Sequence, residues 1–165
     1  MITVAPLKAE DIDQICRIDA AEVPSQLQSL MAKPAFAGLG IATSTGLVGF
    51  IYGWVVENQG EIMQITIAQD SRRQGYGQAL LTSFLAEFDL KTCWLELRAD
   101  NDAAFSLYRR IGFVEDGQRK GYYQSARNEL PPTSAILMQW SLDGLAENEQ
   151  QHHDGGVKDD KKTAY

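Results

Sequence analysis

The run Ile65-Thr66-Ile67-Ala68-Gln69-Asp70-Ser71-Arg72-Arg73-Gln74-Gly75-Tyr76-Gly77 holds the first chemistry that the sequence offers. An apolar strand ends, a short turn carries two arginines, and two glycines open a helix. Free N–H groups at a helix N-terminus form an anion site, reinforced by the helix dipole. Without a Cβ, Gly75 and Gly77 let the backbone approach a phosphate closely, and Arg72 and Arg73 bring mobile positive charge to the same end. Glycines at a strand-to-helix turn and a solvated Arg-Arg pair are each commonplace. Their conjunction as R-x-x-G-x-G, between a strand and a long amphipathic helix, favours phosphate binding. The spacing is not that of a nucleotide P-loop, and Leu80 stands where a dinucleotide fingerprint would have its third glycine.

Two further residues are placed by periodicity. In Trp94-Leu95-Glu96-Leu97-Arg98, strand alternation sets Glu96 opposite Leu95 and Leu97. Glu96 is then either a carboxylate on a covered face, suited to take a proton, or one member of a solvent-facing row with Trp94 and Arg98. In the helix that follows, Asn101, Ala104, Phe105 and Tyr108 share one face. Tyr108 reads either as a phenol available to donate a proton or as an aromatic packed beside Phe105.

The elements that position these residues follow from apolar spacing and breakers. ITVAPL is a strand. A helix from Lys8-Ala9-Glu10-Asp11 has Ile12, Ile15, Cys16 and Ile18 as its stripe, and a second helix runs from Pro24 to Met31, stopped before Pro34. GLGIATS and LVGFIYGWVV are strands joined at Thr45-Gly46, and a turn at Asn58-Gln59-Gly60 leads into the strand EIMQITIAQD. Leu80, Leu81, Phe84, Leu85 and Phe88 then mark a helix, CWLELRA a strand, NDAAFSLYRRIG a helix, FVEDGQRKGYYQ strand and loop, and SAILMQW a last strand. Early antiparallel hairpins followed by a βαβ unit predict a mixed α/β sheet with helices on its faces.

The chain has 165 residues, 44% of them hydrophobic, enough for one domain with a core. The ordered domain is expected over residues 1–142, and the polar stretch 143–165 reads as a disordered tail. Net charge is −7; the tail's six acids and three lysines account for −3, leaving −4 on the body. That balance disfavours direct nucleic-acid binding and favours a basic partner. No apolar run is long enough to span a bilayer and MITVAPLKAEDIDQI lacks a signal-peptide pattern, so the expected compartment is the cytoplasm, with no membrane partner. Cys16 and Cys93 read as free thiols, and with His152 and His153 in the polar tail no metal site is expected.

R-R-Q-G-Y-G-Q-A-L-L resembles the Q/R-x-x-G-x-G/A signature of the Gcn5-related N-acetyltransferase (GNAT) superfamily, and LELRADNDAAFSLYRRIGFVEDGQRKGYY is similar to the bacterial ribosomal-protein-alanine N-acetyltransferases of the RimI type. Those enzymes show L-E-V-R, then A-S-N-x-A-A-x-x-L-Y, then G-F and a tyrosine pair. The resemblance covers Glu61 to Trp140, and the first sixty residues only in pattern. It implies a GNAT-like, mostly antiparallel mixed sheet, splayed between its fourth and fifth strands and flanked by about four helices. It also implies acetyl-CoA as co-substrate, with pantetheine along Ile67, Ala68 and Gln69. The pyrophosphate would lie on the backbone from Arg72 through Arg73, Gln74, Gly75, Tyr76 and Gly77 to Gln78, and Asn101 would touch the cofactor. Glu96 falls on the family's base and Tyr108 on its proton donor. Glu61, Tyr122 and Tyr123 fall on substrate-binding positions, although G-Y-Y-Q replaces the family's common N-Y-Y-P.

The function this implies is direct acetyl transfer from acetyl-CoA to an amine, first of all the N-terminal α-amine of a ribosomal protein. The alternatives are the same chemistry on a small amine or a lysine side chain, and a non-catalytic acyl-CoA-binding module. The last would be favoured by a degraded cradle or the loss of Tyr108, and both are intact.

Overall fold

The computed structural model describes residues 1–123 and 133–144, with Tyr122 and Tyr123 described for their backbone alone. The expected tail beyond residue 144 lies outside the described residues. Seven strands form one sheet: β1 (Thr3–Pro6), β2 (Phe36–Thr43), β3 (Gly46–Val56), β4 (Gln59–Ile67), β5 (Thr92–Arg98), β6 (Val114–Tyr123) and β7 (Thr133–Ser141), in the order β1-β2-β3-β4-β5-β7-β6. The helices are α1 (Ile12–Ile18), α2 (Pro24–Met31), α3 (Tyr76–Glu87) and α4 (Asp102–Ile111). The α/β class and the element order are those expected from the sequence. One turn differs: β3 and β4 are joined at Glu57-Asn58, with Glu57 at φ 55°, so Gln59 and Gly60 already belong to the strand.

The two faces of the sheet bury different sets of side chains. Helices α3 and α4 cover one face, where Leu80, Leu81, Phe84 and Tyr108 meet Ile62, Leu95, Leu97 and Met138. On the other face α1 and α2 pack Ile12, Ile15 and Leu27 on Phe50 and Tyr52 of β3. Alternation along β5 therefore sends Cys93, Leu95 and Leu97 toward α3 and α4, and Trp94, Glu96 and Arg98 to the α1–α2 side.

Every neighbouring pair is antiparallel except β4 and β5, which run parallel across the α3 crossover. Their ladder has four pairs, from Gln59↔Thr92 to Ile62↔Leu95, and stops there. Just beyond, β4 carries a bulge: Gly53 of β3 faces Ile62 and Tyr52 faces Gln64, so Met63 has no partner. The extra residue bends β4 away and inverts its alternation. Ile62 before the bulge and Ile65 and Ile67 after it all reach the α3 side. Gln64 and Thr66 point to the α1 side, where both donate to Asp19 Oδ2, at 2.9 and 3.1 Å. This is the splay between the fourth and fifth strands.

Gly53 makes the bulge possible, since a Cβ there would stand 2.0 Å from the Glu61 carbonyl oxygen. Gly53→Ala is therefore expected to lower stability by about 1–3 kcal/mol, the usual scale for forced overpacking. Urea denaturation measures it, and an unchanged midpoint would show that β4 passes Gly53 without needing the space.

Candidate active site

The opening between β4 and β5 leads into a cleft of about 790 Å³ whose walls include Ile65, Thr66 and Ile67 of β4, the N-terminal turn of α3, and Asn101, Ala104 and Tyr108 at the start and centre of α4. Most of the residues expected to hold phosphate come together here: Arg72, Arg73, Gly75, Tyr76, Gly77 and Gln78 all line it. Gly75 is the N-cap of α3 at φ 82°, a left-handed conformation natural to glycine, and no side chain caps the helix. The first N–H groups of α3 are thus left for an outside acceptor. A Cβ on Gly77 would meet Leu107 at 3.3 Å, so that side of the cradle has no room to spare.

The arginines differ from one another. Arg72 is not the mobile charge expected: its Nε donates to the Ile67 carbonyl at 3.1 Å and ties the loop to the end of β4. Arg73 sits at φ 62° and lines the cleft without such a tie. The edge expected at Ile67, Ala68 and Gln69 also needs correction. Strand β4 ends at Ile67; the Ala68 N–H donates to Val48, its carbonyl accepts from Ser71, and Gln69 opens a 3-10 turn. With Ala68 engaged on both groups, the edge left open toward β5 is the stretch from Met63 to Ile67, where the ladder has ended. Neither Ala68, Gln69 nor Gln74 lines the cleft.

Helix α4 is fixed at both ends. Asn101 Oδ1 accepts from the Ala104 N–H at 3.1 Å, an N-cap that leaves its amide N–H₂ facing the cleft. Gly112, left-handed at φ 107°, ends the helix, and the Phe113 N–H returns to the Tyr108 carbonyl at 3.0 Å. Phe113 thereby packs on the Tyr108 ring, centroids 5.8 Å apart. Phe105, expected on the same face as Tyr108, packs against the same core cluster. Tyr108 is 5% exposed, and burial pushes its phenol up to about 12. The hydroxyl is therefore protonated at any physiological pH.

Glu96 lies on the α1–α2 face, across the sheet from Tyr108, with its carboxylate 3.5 Å from Arg119 of β6 and 25% exposed. It is one residue past the last β4–β5 pair. Glu61 lies on the same face, one pair before the ladder ends, opposite Trp54 and Trp94, and is exposed. Tyr122 and Tyr123 close β6, but their side chains lie outside the described residues.

Sequence reasoning missed two features. One is the bulge at Met63, for which an isolated glycine in strand composition, Gly53, was the available signal. The other is Asp19, which enters the cleft from the loop after α1 and is held by Gln64 and Thr66. Beside it Glu22 accepts from the Tyr52 hydroxyl at 2.9 Å, and burial, together with the nearby Asp19 charge, raises the Glu22 carboxyl above its ordinary value. A three-residue apolar–acid–Ala stretch such as Ile18-Asp19-Ala20 gives no signal of this role.

Both cysteines are free, and burial pushes the Cys93 thiol up to about 12. Among the described residues, no group of three or more His, Cys, Asp or Glu could hold a metal ion, and no helix is long and apolar enough to cross a membrane.

The geometry agrees with relatives of the chain. Residues 43–113 match the model of the Acetyltransferase (GNAT) family. The [Ribosomal protein bS18]-alanine N-acetyltransferase of Salmonella typhimurium is 32% identical over 106 residues, covering 62% of this chain and 70% of that protein. A putative enzyme of the same description from Bacillus subtilis is 30% identical over 129 residues, 73% of this chain and 85% of its own. The crystal structure of the ribosomal-protein-S18-alanine N-acetyltransferase from Escherichia coli superposes with a TM-score of 0.78 at 26% identity, over 86% of this chain and 94% of that one.

The state of Tyr108 has a consequence for stability. Its folded pKa is raised from 10.0 to about 12, so its contribution is complete below pH 10 and is lost as pH rises through about 12. Wild type should lose about 2–3 kcal/mol more than Tyr108→Phe across that window. Parallel denaturation curves for the two proteins from neutral pH to pH 12 would refute the buried, protonated phenol.

Proposed function

The chain belongs to the GNAT family of acetyltransferases, and we propose that it transfers acetyl from acetyl-CoA directly to the N-terminal α-amine of a protein, with a ribosomal protein as first candidate. The observation that carries the reading is the opening between β4 and β5, with an uncapped helix N-terminus at one end and a protonated tyrosine in its wall. The ribosomal acceptor rests on the relatives in Salmonella typhimurium, Bacillus subtilis and Escherichia coli.

The residues fit the co-substrate. The N–H groups of Tyr76, Gly77 and Gln78, with Arg73 alongside, would hold the pyrophosphate, and the Asn101 amide is free to donate to the same ligand. The open edge from Met63 to Ile67 would pair with the pantetheine amides, replacing the absent β5 partner. Acetyl-CoA supplies a thioester whose acetyl carbon takes the amine and whose sulfur leaves as thiolate.

Each of the reaction's demands then has a group in this chain. Backbone N–H groups past the Met63 bulge, released from the ladder, stabilise the developing oxyanion. Tyr108 gives its proton to the departing sulfur from the α4 side; its raised pKa keeps the proton in place until that charge appears. Glu96 takes the proton from the amine on the opposite face, directly or through water. The α-amine has a reference pKa of about 7.7–8.0, so a modest carboxylate base suffices. Tyr122 and Tyr123 would stand beside the acceptor's first residues.

The test is acetyl transfer from labelled acetyl-CoA to two peptides: one with a free N-terminal alanine, the other blocked at its N-terminus and carrying internal lysines. Transfer to the first alone is expected. Transfer to the lysines alone would overturn the N-terminal reading. With the productive peptide, Tyr108→Phe should lower kcat on the order of 10²-fold while leaving the KM for acetyl-CoA near its wild-type value. An unchanged kcat would remove Tyr108 as the proton donor.

A further inference from the structure

One row of side chains crosses the sheet on the α1–α2 face beside the opening. Trp54 of β3 is the direct partner of Glu61, and Glu61 is the direct partner of Trp94. Adjacent strands lie about 4.8 Å apart, so the carboxylate is flanked by two indoles whose backbones are roughly 10 Å apart. All three side chains point the same way: Trp54 shares its face with Tyr52, two residues earlier, and Trp94 shares its face with Glu96, two residues later.

The row has no counterpart within the described fold. Both indoles are half-buried, and neither belongs to either hydrophobic core. Glu61 is exposed, and among the described residues no lysine or arginine pairs with its carboxylate. A carboxylate between two amphipathic aromatic surfaces is complementary to a cationic side chain: the charge finds a counter-ion, and the flat indole faces accept the guanidinium or ammonium. The molecule's net charge of −7 attracts such a group from a distance.

We propose that Trp54, Glu61 and Trp94 form a subsite for an arginine or lysine side chain of the acceptor polypeptide, near the amine to be acetylated. The proposal rests on the N-terminal acetyltransferase reading and assigns Glu61 to a side chain of the acceptor. Its position suits that task. Trp94 and Glu96 are two residues apart on one strand face, about 7 Å, which is the reach of two residues of extended chain. The subsite therefore reads a residue just after the acceptor's first.

The experiment uses the full chain and three peptides that begin with the same residue. One carries arginine at its second and third positions, one glutamine there, and one glutamate. Wild type should favour the arginine peptide over the glutamine peptide on the order of tenfold in kcat/KM, through KM. Glu61→Gln should bring that ratio toward one, and Glu61→Lys should turn the preference toward the glutamate peptide. Trp94→Leu should reduce the ratio as well. Equal ratios in wild type, Glu61→Gln and Glu61→Lys would overturn the subsite. A wild type that acetylates none of the peptides would overturn the reading of the reaction, and binding then decides the subsite separately. Tryptophan fluorescence titrated with the N-terminally blocked arginine peptide should show saturable binding in wild type that is weakened on the order of tenfold in Glu61→Lys. Equal affinity in the two proteins, or none in wild type, would overturn the subsite on its own.

Discussion

The structure turns on a ladder that stops. Parallel strands β4 and β5 hold together for four residue pairs and then part, because the bulge at Met63 turns β4 away before the pairing can continue. Two strand edges are left with backbone groups that face each other across a gap. In a closed sheet those groups would be satisfied by the neighbouring strand, and leaving them unpaired in a protein interior is costly. The gap is tolerated because it is open to a cleft, and it is useful because a ligand with amide groups can complete what the strands do not. Gly53, Met63 and the Asp19 contacts to Gln64 and Thr66 are therefore parts of one device that holds β4 bent.

The same gap explains why the two candidate proton-handling groups come from different layers. Tyr108 lies among the side chains of the α3–α4 face, while Glu96 belongs to the α1–α2 face. In an unbroken sheet the backbone would separate them. The opening joins the two sides, so a reacting centre within it can meet an acid on one side and a carboxylate on the other. Their surroundings suit opposite tasks: burial holds the Tyr108 phenol neutral, whereas Glu96 is partly solvated and faces Arg119. The division of labour follows from topology first and from residue chemistry second.

How much of this was legible in the sequence depended on how local the cause was. The α3 cradle was readable because strand, turn, glycines and helix are consecutive in the chain, and Gly75 and Gly77 carry the geometry themselves. The place of Tyr108 beside Asn101 and Ala104 was readable from helical spacing. The splay came only from the resemblance to known acetyltransferases, since it depends on Gly53 of one strand giving room to the bulged backbone of the next. The expected edge ran on through Ala68 and Gln69 because apolar Ala68 continues the strand's composition although the strand ends at Ile67 and a 3-10 turn opens at Gln69. Asp19 was invisible, as its meaning comes from Gln64 and Thr66, 45 and 47 residues away. Arg72 was read as free charge, for a side chain's return to a carbonyl five residues back leaves no trace in the pattern.

This difference in range separates what the fold dictates from what it leaves open. The bend in β4, the uncapped start of α3 and the placing of Tyr108 by the Gly112 turn are backbone features, and any chain that keeps them keeps the opening between β4 and β5. Choice of acceptor has a different origin. In the proposed reading it falls to side chains on the α1–α2 face, among them Trp54, Glu61 and Trp94, which take no part in either core. Relatives at about 30% identity can thus share the reaction's frame while differing in the face that meets the acceptor.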